Sequence, residues 1–598
     1  MRNRVGLLSP PEHPVLSLAV QAEAITIERE QSQFEILVHH IFYRFLHNEL
    51  LSSDDDETKR VMQISSAIAV PGLLVALFLF PPYHGFPPHP LHRPFWAQVA
   101  DHYFYVMYSF VVMGAATVFE WDLLFPDLVD VFVLSVQPIA GRHLFLARVL
   151  ALAIFLGLVL FVTSILGILF LPLVAELPGF LRHLLGHSTS VFASGIFAAA
   201  TFLALQGILL NILGEHTFRR ITPLLQGASV MILLAILLLH PTIAGSLGPL
   251  LTSGAPAVRL FPPFWFLGIY ERLLLGPSAP AIFHELARTG CYALLLMLAA
   301  TVLTYPLAYC RTVRQLIEGG RAVNTRGRRI ATPFQWILQA TVLRLPAQRA
   351  IFHFINQTIL RAQRQRVMLA MYGGLGIALT LSVVLVFRVG DGHVHPALLP
   401  NGIRSAIPIM IFWTVAGLHS VLGSPFDRRG AWLFCVIIGR PKAGHFSGTR
   451  VWVTLWAVFI GLSTAIVLHA LSPESLRSPL TTLNQLLIAV GVSFLLADVF
   501  LFSVRSVPFT HLRKSSITDL PLVVVRYVVL FPLLVAILVH NETWTEASAT
   551  HLFKTLFFLV AAHLVLLVAH SRSLSQSTLD TPPDEIDEFP QRLGLRDS

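Results

Sequence analysis

The sequence predicts an all-α, polytopic integral membrane protein with about twelve transmembrane helices in two repeated six-helix halves and both termini in the cytoplasm. Hydrophobic residues make up 55% of the 598 residues and charged residues only 13%, about half the usual share of roughly 25% in a soluble domain. The apolar residues form twelve segments of about 20 residues, the length that crosses a bilayer core of about 30 Å. Arginine and lysine concentrate in alternate loops.

Composition and charge exclude several other classes of protein. A mean hydropathy of +0.69 is too high for a soluble chain to cover its surface, and the same composition excludes disorder, coiled coil, collagen and a disulfide-rich scaffold. The net charge of +9 indicates cytoplasmic loops held against an anionic membrane leaflet. We therefore expect anionic membrane lipids, and no nucleic acid, as partners.

The weakest of the twelve predicted spans is the second, because it opens with Asp101 and His102 and ends at Glu120. The first six spans lie near 61–81, 102–119, 148–174, 190–214, 221–246 and 287–310, and the second six near 367–389, 403–423, 451–471, 482–505, 519–540 and 551–571.

Basic residues predict the orientation, since arginine and lysine are enriched in cytoplasmic loops. With the N-terminus inside, 32 basic residues fall in inner segments and seven in outer segments. This split predicts both termini in the cytoplasm. The corresponding organisation is a cytoplasmic segment with an interfacial amphipathic helix (1–60), a first membrane half (61–310), a basic linker (311–366), a second membrane half (367–571) and an acidic tail (572–598).

Short matches at a nearly constant offset indicate that the two halves are repeats. Arg60-Val61-Met62 precedes the first span and Arg366-Val367-Met368 the seventh, each after an amphipathic stretch. Such a stretch is expected to lie at the inner interface; a soluble helix packed on other helices is the alternative. Ala140-Gly141 and Ala443-Gly444 match in the same way before the third and ninth spans. An even number of spans per half predicts a pseudo-two-fold axis along the membrane normal.

Several catalytic and cofactor signatures are missing from the sequence. The chain has four lysines and none follows a glycine, so it lacks the Gly-Lys-Ser/Thr phosphate loop of an ATPase. It contains no His-Glu-x-x-His and no Cys-x-x-Cys, which are the usual metal signatures. His393 and His395 beside Asp391 favour a solvated turn over a metal site. We expect no cofactor, no metal and no enzymatic activity of the chain's own.

Charge within the spans is scarce in the sequence. Asp498 and Arg526 each lie about seven residues from the inner end of a predicted span, roughly 10 Å deep at 1.5 Å per residue. This placement predicts an intramembrane ion pair between them, and a proton or substrate relay is the alternative.

Four strings carry a resemblance to a known family: Glu120 to Asp130, Pro262 to Glu271, Phe354 to Arg366, and Ser506 to Thr510. With the order of the spans, they resemble the permease subunit of a bacterial ATP-binding-cassette transporter of the type-2 exporter kind, as two fused half-permeases. The resemblance implies an interfacial elbow helix at 33–50, a coupling helix within 120–147 and outer amphipathic elements at 256–275. The second half departs from this pattern, because its outer loop near 541–550 is short.

The resemblance also implies a function and partners. The chain would be the permease of an ATP-driven transporter in the bacterial cytoplasmic (inner) membrane, energised by separate nucleotide-binding ATPase subunits. The coupling residues would be Leu124, Phe125, Asp127, Asp130 and Arg142, and Arg428, Arg429 and Trp432 in the second half. A twelve-span secondary carrier, and a membrane scaffold or enzyme without transport activity, are the alternatives.

Overall fold

Apolar helices dominate the computed structural model. The described residues are 33–45, 57–84, 93–121, 125, 137, 139–174, 179–317, 343–390, 393–424, 443–472, 479–502, 504, 507–509, 526–546 and 548–580. Ten helices in this part of the chain are long and apolar enough to cross a membrane. The prediction of an all-α, polytopic membrane protein is confirmed at this level.

The first helical group runs from residue 33 to residue 317. Its elements are α1 (33–45), α2 (Glu57–Tyr83), α3 (Phe95–Phe119), α4 (Gly141–Val174), α5 (Phe180–Leu238), the short helices α6 (His240–Gly245), α7 (Leu247–Thr252) and α8 (Pro256–Leu260), then α9 (Pro262–Leu275) and α10 (Ala281–Ile317).

Helix α5 is a hairpin whose chain reverses at Gly214. Gly214 has φ 71° and ψ 163° within otherwise helical backbone, in the left-handed region that a residue without Cβ adopts at little cost. On the first arm, Gln206 Nε2 donates a hydrogen bond to the Trp121 carbonyl over 2.8 Å. On the second arm, Gln226 Nε2 donates to the Val118 carbonyl over 3.2 Å. Both arms therefore reach the same end of α3, antiparallel to each other. This end is predicted to face the cytoplasm and is called the inner end below; the opposite one is the outer end.

The second helical group begins after residue 343. Its elements are α11 (Pro346–Arg361), α12 (Gln363–Val384), β1 (Leu385–Gly390), β2 (His393–Leu398), α13 (Pro400–Gly423), α14 (Ala443–Leu471), α15 (Pro479–Leu501), a π-helical turn (Arg526–Leu530) leading into α16 (Phe531–Glu546), and α17 (Ala549–Asp580).

The hairpin of β1 and β2 differs from the predicted span at 367–389. The helix ends at Val384, and Leu385 pairs with Leu398 in an antiparallel register that continues to Gly390 opposite His393. Each strand contacts one of the short helices α6 and α7 at the outer end. The apolar residues of β1 are typical of a strand as well as of a helix, so hydrophobicity alone extended the predicted span too far.

An amphipathic helix packs beside the third long helix of each group. In the first group, the Phe45 ring of α1 stacks on Phe155 of α4 with centroids 5.6 Å apart. In the second group, Gln348 Nε2 of α11 donates to Ser447 Oγ of α14 over 2.8 Å. The buried residues of α1 and α11 are Leu37, Ile41 and Phe45, and Ile351 and Ile355.

The two groups meet where α12 packs against the second arm of α5. A Cβ added to Gly227 would lie 2.3 Å from the Cβ of Ala370, and one added to Gly374 would lie 3.1 Å from the Met231 side chain. Small residues let the helix backbones approach closely, which is the usual packing mode of helices in lipid.

Helix α3 shows where the span prediction was weakest. The predicted second span at 102–119 begins earlier, at Phe95. Of its most apolar 18-residue stretch, 67% is buried inside the protein. Polar residues are tolerated there because protein, not lipid, surrounds them. The first predicted span, 61–81, differs from the structure, where the apolar part of α2 is Ile68–Tyr83. In the eleventh predicted span, 519–540, the residues before Arg526 lie outside the described ranges.

Candidate functional site

A buried polar cluster lies at the outer end of the first group, where α3, α5 and α9 meet. Its members come from helix faces that point into the protein, and each is almost inaccessible to solvent. We call His102, His183, His187, Tyr270 and Glu271 the outer cluster.

Helix α9 brings Tyr270 and Glu271 into this cluster. Pro262 and Pro263 occupy its first turn, where proline fits because the missing N–H has no helical partner anyway. Gly276 follows its last residue with φ 65°, a conformation that commonly ends a helix. The family resemblance implied outer amphipathic elements at 256–275. The helix instead buries its Phe264, Phe266, Leu267 and Tyr270 side chains in the bundle.

The strongest contact of the outer cluster joins α3 to α9. His102 Nδ1 lies 2.6 Å from Glu271 Oε1, and both side chains are 1% exposed. The His102 ring also stacks on the Tyr270 ring with centroids 4.2 Å apart. A buried carboxylate needs such a donor, since an unpaired charge in a low-dielectric site is costly.

The two histidines of α5 extend this network. His187 Nδ1 lies 3.3 Å from the Tyr270 hydroxyl, and the His183 ring packs edge-on against His102 with centroids 5.7 Å apart. The Nε2 atoms of His102 and His187 have no hydrogen-bond partner among the described residues. In that part of the chain, no three His, Cys, Asp or Glu side chains converge to hold a metal ion.

A second charged pair flanks the outer cluster. Arg93 donates from Nε and Nη2 to the two carboxylate oxygens of Asp101 over 2.5 and 2.6 Å. Burial acts to lower the pKa of Arg93, but the hydrogen bonds and charge of Asp101 outweigh it and raise that pKa. The guanidinium is therefore charged, and the bidentate geometry fixes it in one orientation.

His240 lies on the other side of α3. Its ring stacks on Tyr103 with centroids 5.3 Å apart, and its Nε2 is buried without a hydrogen-bond partner in the described ranges. Burial lowers the pKa of His240 to about 4. The imidazole is therefore neutral at pH 7.

The intramembrane acid predicted from the sequence, Asp498, lies in a second polar site near the inner end. Arg450 Nη2 contacts its Oδ1, and His563 Nδ1 lies 2.5 Å from its Oδ2. A cavity of about 190 Å³ adjoins the pair, between α14, α15 and α17. The Arg526 side chain lies outside the described residues, so the predicted pair with Asp498 stays a prediction.

No protein-family model, no curated protein and no solved structure matches the chain. The case for a function therefore depends on the residues themselves.

The structure describes only part of the predicted coupling loops. Phe125 packs inward, with its ring 5.3 Å from the Tyr305 ring of α10. Arg142 is exposed at the start of α4. The other predicted coupling residues, Leu124, Asp127, Asp130, Arg428, Arg429 and Trp432, lie outside the described residues.

A strained residue marks the inner end of the second group. Phe509 has φ 66°, the only positive φ of a non-glycine residue in the described ranges, and bulky side chains rarely adopt this conformation. Its N–H donates to the Leu422 carbonyl at the end of α13 over 2.9 Å, and its ring packs against Phe354. It belongs to the string Ser506 to Thr510 that carries part of the family resemblance.

Sequence reasoning missed the outer cluster for two reasons. Glu271 was assigned to an outer loop, and Asp101 and His102 were read as weakening a span. One local signal was available: His183 and His187 are four residues apart and so share one helix face. Their partners are far away in sequence, and no local pattern pointed to them.

Proposed function

We propose that this chain is the membrane-spanning permease of an ATP-driven exporter, with twelve spans in two homologous halves and both termini inside.

 Separate nucleotide-binding subunits would supply the energy, and the membrane would be the bacterial cytoplasmic membrane. The absence of a Gly-Lys-Ser/Thr motif supports separate motor subunits, because a phosphate loop needs that lysine.

One observation carries the proposal: in each helical group an amphipathic helix packs against the third long helix. Helix α1 lies along α4, with Phe34 against His143 and Phe45 against Phe155, and α11 contacts the start of α14; in the proposal each of these helices precedes its half. Residues that begin α4 and α14 also correspond in sequence, including Arg148 and Arg450. This recurrence supports a duplicated permease.

Contacts of the loops at the inner end suggest how force would reach the bundle. The Phe125 ring packs against the Tyr305 ring, and the Phe145 ring of α4 packs against the same ring with centroids 5.9 Å apart. A displacement of the loop after α3 would therefore be passed to α10 and α4. In the second half, Phe509 holds the loop after α15 against the end of α13. In this proposal, Phe125 anchors the loop to the bundle, while Trp432 docks on the motor.

The test is reconstitution with a stand-alone nucleotide-binding subunit encoded next to this chain in its genome. We expect the chain to bind that subunit in mild detergent and to raise its ATP hydrolysis rate in liposomes. Phe125→Ala with Trp432→Ala should abolish the stimulation. The matched control is Phe557→Ala, since Phe557 is 76% exposed on α17 and faces away from the protein core.

Two results would contradict the proposal. One is an unchanged ATP hydrolysis rate with every nucleotide-binding subunit of the source genome. The other is transport by the purified chain alone, driven by an ion gradient.

The outer cluster favours a second candidate, the twelve-span secondary carrier. An ion-coupled carrier needs buried titratable groups, and His102 and Glu271 form such a pair. The cluster lies at the outer end, however, whereas the ion sites of such carriers lie near the middle of the bilayer. Uptake of protons with substrate, lost in Glu271→Gln, would support the carrier.

A further inference from the structure

A cavity of about 640 Å³ opens at the outer end of the first group, beside the outer cluster. It lies between α2, α3 and the short helices α6 and α7. Its volume is within the range of about 300–1,000 Å³ that is typical of small-molecule sites. The proposed function does not use this cavity.

Most of the cavity wall is apolar and aromatic. Helix α2 contributes Val75 and Leu79, and α3 contributes Trp96 and Phe104. Trp96 packs so closely on α7 that a Cβ added to Gly248 would lie 2.9 Å from its ring. The Trp96 side chain is therefore held in place as one wall. Such a surface suits a hydrocarbon chain.

The polar part of the lining is small and electrically neutral overall. It consists of the Arg93–Asp101 pair and the uncharged His240. The Arg93 side chain is 20% exposed and that of Asp101 8%. His240 Nε2 has no hydrogen-bond partner in the described ranges. The lining thus offers a guanidinium, a carboxyl group and an imidazole within one cavity.

We propose that this cavity binds a zwitterionic phospholipid from the outer leaflet. The phosphate would contact Arg93 and His240, the ammonium group would contact Asp101, and an acyl chain would follow Val75 and Trp96. Complementary charge favours this head group over an anionic one, because Asp101 would repel a head group without an ammonium. The outer position of the cavity matches the depth of lipid head groups, where tryptophan is also enriched.

The experiment is native mass spectrometry of the full chain in detergent with three added probes. These are phosphatidylethanolamine, phosphatidylglycerol with the same acyl chains, and glycerophosphoethanolamine, the soluble head group. We expect one phosphatidylethanolamine to remain bound per chain, with at least tenfold weaker retention of phosphatidylglycerol. The soluble head group should not compete at equal concentration, because the apolar wall contributes much of the binding.

The variant that tests the location is Gly245→Leu. Gly245 lines the cavity, and a Cβ added there meets no atom within 4 Å, so the backbone site accepts a side chain. It should lower phosphatidylethanolamine retention at least tenfold. The matched control is Gly157→Leu on α4, which also meets no atom within 4 Å and does not line the cavity; its retention should equal that of the wild type.

A second measurement does not depend on the folding of Gly245→Leu. Phosphatidylethanolamine with brominated acyl chains should quench the fluorescence of Trp96, measured as the difference between the wild type and Trp96→Phe. The proposal is overturned if the wild type retains no lipid, if Gly245→Leu retains it equally, if phosphatidylglycerol binds equally well, if the soluble head group competes equally, or if Trp96 is not quenched.

Discussion

His102 and Glu271 are 169 residues apart in the chain, yet His102 Nδ1 lies 2.6 Å from Glu271 Oε1. The contact joins α3, at the centre of the first group, to α9, which enters the bundle between the fifth and sixth predicted spans. Because both side chains are 1% exposed, neither can exchange its partner for water without a movement of α9. The pair therefore holds α9 in its inward position.

Loss of this contact should destabilise the protein. We expect Glu271→Ala to lower the free energy of unfolding by about 3 kcal/mol, the scale of a broken buried pair. The control is Glu285→Ala, since Glu285 is 54% exposed and pairs with Arg259 over 3.4 Å; such surface pairs contribute about 0–1 kcal/mol. Chemical unfolding in mixed micelles measures both values. Equal losses in the two variants would contradict the role given to the His102–Glu271 pair.

The reversal of α5 makes a prediction about backbone conformation. Gly214→Ala should cost about 1–2 kcal/mol, because an L-residue with a Cβ is disfavoured at φ 71°. A Cβ at that position meets only Arg311 Nη2, at 3.8 Å, so the loss would come from the backbone and not from a clash. Gly157→Ala, in a regular part of α4, should instead stabilise by about 0.5–1 kcal/mol. Unfolding of both variants in the same micelles is the measurement, and a neutral Gly214→Ala would contradict the assigned reversal.

The membrane class of the fold could be predicted because it depends on single side chains. A helix that faces lipid needs only apolar residues, and α10 and α17, the most exposed candidate spans, are clear in the sequence. Prediction was less successful where a helix is surrounded by other helices and not by lipid. Asp101 and His102 are compatible with α3 only because Arg93 and Glu271 contact them, and Glu271 is far away in the chain.

The local sequence signals that mark the start and end of helices were also ambiguous. Two adjacent prolines can end a helix or begin one, and Pro262-Pro263 begins α9, because prolines fit the first turn. The apolar run after Val384 was read as the end of a span, and it is a strand of a hairpin. The predicted coupling residues Phe125 and Arg142 could be placed at the inner end from the span order, but the inward contact of Phe125 with Tyr305 depends on tertiary packing.

His240 gives the protein a predictable response to acid. Burial lowers its pKa to about 4 in the folded state, against about 6.5 in an unfolded chain. Between these values the unfolded state binds more protons, so stability rises with pH and is lost as the pH falls from about 6.5 to about 4. The slope is about 1.4 kcal/mol per pH unit and the total about 3 kcal/mol.

The measurement for His240 is the free energy of unfolding from pH 7 to pH 4. His240→Phe keeps an aromatic ring against Tyr103 and should flatten the profile by this amount. An unchanged slope in the variant would show that other groups cause the acid sensitivity.

The partners of Asp498 can be separated by double-mutant cycles. Asp498→Asn and Arg450→Gln should be coupled by about 0.5–3 kcal/mol, since contacting groups are not additive. The cycle with Arg526→Gln tests the partner predicted from sequence: coupling of the same size would place Arg526 in the same network, and strict additivity would remove it. His143→Ala, a change at the edge of the first group, is the control that should add to Asp498→Asn. Additivity of Arg450→Gln would contradict the contact in the structure.

The orientation of the chain in the membrane can be tested with single serine-to-cysteine substitutions. Ser253 lies between α7 and α8, and Ser548 lies between α16 and α17, both at the outer end; Ser424 follows α13 at the inner end. In a background without Cys291, Cys310 and Cys435, a membrane-impermeant maleimide should label Ser253→Cys and Ser548→Cys in intact cells. Ser424→Cys should react only after permeabilisation.

The reason for this expected labelling pattern is the bias of 32 inner against seven outer basic residues, since translocating arginine across a membrane is unfavourable. Labelling of Ser253→Cys but not Ser548→Cys would mean that the halves insert in opposite orientations, which would remove the axis along the membrane normal and with it the parallel duplication.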